Sequence, residues 1–185
     1  MNSHITPETQ ESVIKLYQSV RIKIGNNNPI SLLHISEENT IIASGESNEK
    51  PDHIVVLPMG SKKTPEDFFR HVPPTPDEIE YAINFLEDHI IPCKKELPVN
   101  SELYSASPAI QEISSQWEKD IAAETTVLPI RDMEDIFSRL SAIITGRPYS
   151  TDTLPETFEF AASLLILREI MHHLAFHNIT ILKSL

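Results

Sequence analysis

The chain has 185 residues, a length that suits one compact domain, residues 1–185, with a sizeable buried core. Hydrophobic residues make up 40% and charged residues 23%, which excludes an intrinsically disordered chain. The formal net charge of −12, from 15 Lys+Arg against 27 Asp+Glu, sets long-range repulsion against nucleic acid, polyphosphate and anionic membranes.

A single cysteine, Cys93, excludes an intrachain disulfide and a multi-cysteine zinc site. Lys94 and Lys95 beside it are placed to lower a thiol pKa. No partnered base accompanies them, which favours an incidental thiol. Residues 1–9 are polar and lack the apolar segment of a signal peptide. The richest apolar run, residues 158–170, is broken by Glu159, Arg168 and Glu169 and falls short of a membrane span. The expectation is a cytoplasmic protein with no nucleic-acid or membrane partner.

In chain order, Thr6, Pro7 and Glu8 supply an N-cap, a first-turn proline and an acidic first turn. The helix they start is predicted to run to about Val20, with Val13, Ile14, Tyr17 and Val20 on one face. Three strands follow at 30–35, 40–43 and 53–57, rich in Ile, Val and Leu and bounded by turn residues. Thr64 and Pro65 suit one helical turn. Thr75 and Glu78 form a capping box for a helix with the apolar stripe Ile79, Ala82, Ile83, Leu86 and Ile90, closed by Pro92. A strand at 102–105 precedes a helix from Pro108 to about Trp117, and 125–128 is another short extended run. Residues 131–144 are amphipathic and stop at Gly146. Pro155 is predicted to start the longest helix, reaching Phe176, before a last strand at 179–182. Because that helix is apolar on more than one stripe, it is expected to be a central core helix, with a subunit contact as second choice.

Glu37 and Glu38 occupy the tip of the first hairpin. A glycine loop there would let backbone N–H groups approach an anion, but the chain has only four glycines, none close to another. Side-chain bulk and negative charge stand where an anion would sit. On the final helix, Glu169, His173 and His177 recur every fourth residue and form a candidate metal stripe. The competing explanation is exposed histidines near a helix C-terminus, where positive charge suits the macrodipole. Asp132, Glu134 and Asp135 are best explained by placement at a helix N-terminus, and Glu87, Asp88 and His89 by a solvated face.

The order of elements resembles a ribonuclease-H-like half-domain of the actin/sugar-kinase type. Residues 32–40 resemble the strand–turn–strand of the exopolyphosphatase/guanosine pentaphosphate phosphatase (Ppx/GppA) family, and Leu57, Pro58, Met59, Gly60 and Ser61 its third strand. Ser105, Ala106, Ser107, Pro108 and Ala109 resemble its second phosphate loop, and residues 160–181 its last helix and strand. The resemblance covers most of this chain but only the C-terminal half of a full family member. It implies an α/β fold with a mixed five-stranded sheet flanked by helices.

The departures bear on function. His34 stands where the family has an aspartate, and Ser36, Glu37 and Glu38 where it has three glycines. In the second loop two glycines become Ser107 and Pro108, and proline also removes a backbone donor. The resemblance therefore implies a catalytically degenerate domain that works by binding or assembly, through a protein partner or as a dimer, without cofactor. The alternative is an active phosphohydrolase on polyphosphate, nucleotide or another phosphoester, using Mg²⁺ held by Glu11, His34 and either Glu37 or Glu38. A ligand sensor without chemistry is a third reading. Ser36, Asn39, Thr40, Ser105 and Ser107 are the candidate ligand-binding residues.

Overall fold

The computed structural model describes residues 6–46, 49–117 and 123–184. Helix α1 (Pro7–Ile24) leads into strands β1 (Ile30–Ile35), β2 (Thr40–Gly45) and β3 (His53–Leu57). The short α2 (Lys63–Phe68), α3 (Pro76–Ile90), β4 (Glu102–Ser105) and α4 (Pro108–Ser115) follow. The chain continues through β5 (Thr125–Pro129), α5 (Ile130–Ile144), α6 (Phe158–His173) and β6 (Asn178–Leu182).

The strands form one sheet in the order β3-β2-β1-β4-β6-β5. Strands β1, β4 and β6 run parallel at its centre, while β2, β3 and β5 run antiparallel to their neighbours. The expected five strands are thus six. The extra one is β5, the extended run at 125–128, which pairs along β6 at the sheet edge.

Alternation along β1 sends its side chains to two separate cores. Leu33 and Ile35 join Ile42, Leu57, Leu103, Ile179 and Ile181 under α3, α4, α5 and α6. Ile30 and Leu32 meet Val13, Tyr17 and Val20 of α1 on the opposite face. Helix α6 is buried nearly all round, from Phe160 to Met171, and packs against α3, α4 and α5. That explains its lack of a single apolar stripe and makes it a core helix.

Several element ends differ from expectation. Helix α1 continues past Val20 to Gly25, whose φ of +63° supplies the left-handed cap. Arg21 in the extension is buried and donates to the Tyr17 hydroxyl and to the carbonyls of Asn28 and Gly45, at 2.5 and 2.7 Å for the last two. Helix α6 starts at Phe158 rather than Pro155, because the Thr157 hydroxyl caps the Phe160 N–H, and it ends at His173. Pro92 does not end the chain's helical path: residues Ile91–Glu96 tighten into a 3₁₀ turn and bury Cys93. Burial pushes the Cys93 thiol pKa up, so the neighbouring lysines do not activate it.

Candidate functional site

The β1–β2 turn and the β4–α4 loop lie where the sequence places its anion-binding candidates, and both are closed by internal hydrogen bonds. At the first, Ser36 N–H donates to Asn39 O, and the Ser36 hydroxyl donates to the same carbonyl while accepting from Asn39 N–H. The approach to α2 then clamps this turn from below. Ser61 N–H donates to Ser36 O at 2.9 Å, and Lys62 and Lys63 N–H both donate to Glu37 O at 2.9 and 3.0 Å. The buried Thr40 hydroxyl donates to Met59 O at 2.8 Å, and Lys62 Nζ pairs with the Glu37 carboxylate at 2.7 Å. Of the turn's backbone donors, those of Ser36 and Asn39 already have acceptors within it, and the exposed Glu37 and Glu38 carboxylates stand beside the rest.

The second loop is closed in the same way. Ser105 and Ser107 are fully buried, and their hydroxyls donate to Leu33 O and Ile35 O at 2.8 and 2.9 Å. Ser107 N–H donates back to the Ser105 hydroxyl. Pro108 opens α4 and brings no donor. These serines tie β4 to β1 rather than face a ligand.

What stays open is a cleft of about 530 Å³ between α1 and the β1–β2–β3 hairpins. Val13, Leu16, Ile41 and Val56 give it apolar walls, with Ser36 and Asn39 at one end and Thr6, Thr9 and Ser12 on the helix side. His34 projects into it, because position 34 shares the α1-facing side of β1 with Ile30 and Leu32. Neither ring nitrogen has a hydrogen-bond partner among the described residues, and burial holds its pKa below the ordinary histidine range. The cleft therefore carries a neutral imidazole in apolar surroundings.

The structure separates the three residues proposed from the resemblance as catalytic. Glu11 faces away from the cleft and pairs with Lys15 at 2.6 Å on an exposed helix face. Glu38 lies exposed at the turn. Among the described residues one group of three metal-ligating side chains converges, and it contains none of these. Glu11, His34 and Glu38 therefore do not fit the Mg²⁺ that a phosphohydrolase reading requires.

The converging group is Glu87, Glu169 and His173. His173 Nε2 lies 3.0 Å from Glu87 Oε1 and 3.2 Å from Glu169 Oε2. The sequence stripe found two of these residues. His177 drops out because α6 ends at His173, leaving it exposed beyond the helix. Glu87, read as solvated, instead reaches α6 from α3. Glu134 likewise does more than complement a helix dipole: it pairs with Arg168 at 3.0 Å and with His172.

No protein-family profile and no curated protein sequence matches the chain. Solved structures do match. A Ppx/GppA phosphatase from Aquifex aeolicus superposes with TM-score 0.73 at 17% identity, covering 96% of this chain and 60% of that one. A second crystal structure of the Aquifex aeolicus family member gives TM-score 0.77 at 15% identity, covering 96% and 58%. An exopolyphosphatase from Cytophaga hutchinsonii gives 0.72 at 12% identity, covering 94% and 58%. The fold is that of the Ppx/GppA structures, and the chain spans about three-fifths of their length.

Proposed function

We propose that this chain is a catalytically silent module of exopolyphosphatase fold, acting in the cytoplasm by binding a protein partner or a second copy of itself. The observation that carries the reading is the closure of both phosphate loops by hydrogen bonds within the chain. Amides of residues 61–63 and hydroxyls of Ser105 and Ser107 already donate to carbonyls of Ser36, Glu37, Leu33 and Ile35. A phosphoryl group would have to displace these bonds and approach the Glu37 and Glu38 carboxylates, both unfavourable.

The binding surface in this reading is the cleft beside α1. Its apolar walls suit an apolar side chain, and His34 offers one hydrogen bond to a polar group attached to it. A buried free cysteine suits a reducing compartment, and no helix among the described residues is long and apolar enough to cross a membrane.

The test is phosphate release from polyphosphate, nucleotides and an aryl phosphate, with Mg²⁺ and Mn²⁺ present, alongside sedimentation over a concentration series. The expected result is no turnover, with dimerisation or partner capture weakened by His34→Ala. Turnover that disappears in His34→Ala and Glu38→Ala would overturn the reading.

A further inference from the structure

On the other side of the sheet from the cleft, Glu87 of α3 meets Glu169 and His173 of α6. We propose that these three side chains form a binding site for a divalent metal of the zinc type, which ties α3 to α6.

The spacing fits. Ligands about 2.0–2.1 Å from a tetrahedral ion stand roughly 3.3–3.4 Å from one another. The imidazole nitrogen lies 3.0 and 3.2 Å from its two carboxylate oxygens, and all three ligand atoms fall within 4.8 Å of each other. Hydrogen bonding alone leaves this arrangement incomplete. A single Nε2–H has one proton for two carboxylate acceptors, and the carboxylates repel one another. A dication coordinates all three atoms at once, with the imidazole neutral.

The surroundings are those of a ligand shell. Glu169 is buried, and its other oxygen, Oε1, accepts from Arg168 Nη1 at 2.7 Å, which turns Oε2 toward His173. Arg168 is itself held by Glu134 at 3.0 Å and lies over the Phe137 ring at 4.6 Å. The carboxylates of Glu87, Glu134 and Glu169 exceed the one guanidinium by two negative charges, which a bound dication balances. His173 and Glu87 are only partly buried, which leaves a path for the ion and room for a water as fourth ligand.

The test is calorimetric titration of the metal-stripped full chain with Zn²⁺, with Co²⁺ as spectroscopic probe. Expected are one ion per chain, visible absorption bands of tetrahedral Co²⁺, and a rise in Tm that a chelator reverses. Glu87→Gln and His173→Gln should each abolish binding while far-UV dichroism and the metal-free Tm show intact folding. His177→Ala should bind as the parent does, and Arg168→Gln should weaken binding roughly tenfold by freeing Glu169. Absence of stoichiometric binding to the parent overturns the proposal, as does binding that survives Glu87→Gln and His173→Gln combined.

Discussion

A β-carbon on Gly60 would stand 2.3 Å from the carbonyl oxygen of Glu37. The β1–β2 turn rests directly on the backbone before α2, and only glycine permits that approach. Gly60→Ala would push the turn off the amides of residues 61–63. The expected cost is about 2 kcal/mol by chemical denaturation, with m unchanged, because the collision is with backbone and cannot be relieved by rotating a side chain.

Asp152 holds the connection between α5 and α6. Its carboxylate pairs with Arg139 at 2.5 Å and with Arg147, and it accepts the N–H groups of Thr153 and Leu154. The hydrogen bond from Arg139 holds its pKa below the usual aspartate range. A depressed folded pKa contributes stability above the unfolded value and loses it as pH falls through the folded one. Asp152→Asn should therefore cost about 2 kcal/mol at pH 7, a penalty that shrinks below about pH 4. Urea midpoints of both proteins across that range check it.

His34 gives a separate acid response. Burial favours its neutral form in the folded state, so the unfolded chain takes up a proton first as pH falls below about 6.5. Stability is then lost on acidification, from the opposite cause to Asp152 and at higher pH. His34→Leu should flatten the part of the stability profile that begins to fall below about pH 6.5 while leaving the lower limb to Asp152. Tm measured against pH separates the two.

Cys93 should be inert in the native state. Its thiol is buried and donates to His89 O at 3.1 Å. Reaction with an aromatic disulfide reagent should run at least about tenfold slower in the folded protein than in denaturant.

The capped helices and the hairpin were legible because their signals are local. Thr6, Thr75 and Glu78 cap as their sequence neighbourhood dictates, and the Glu37–Glu38 turn follows from two flanking apolar runs. The end of α1 is not legible in sequence because Arg21, polar by type, is buried by carbonyls outside the helix, those of Asn28 in the next loop and of Gly45 on β2. β5 was underweighted because a strand exposed on one face and supported by one neighbour shows little hydrophobic pattern. The loop serines looked like ligand donors because sequence shows a hydroxyl but not the carbonyl it will meet. Glu87 was invisible for the same reason, since its partner lies 86 residues away.

Internal hydrogen bonds at Ser36, Asn39, Ser105 and Ser107, together with the Glu37 and Glu38 carboxylates, are expected to keep a phosphoryl group out of both loops. Amide ¹H–¹⁵N spectra during titration with orthophosphate and short-chain polyphosphate test it residue by residue. The expected result is no saturable shift at residues 36–39, 60–63 or 106–111. Saturable shifts confined to those amides would contradict it.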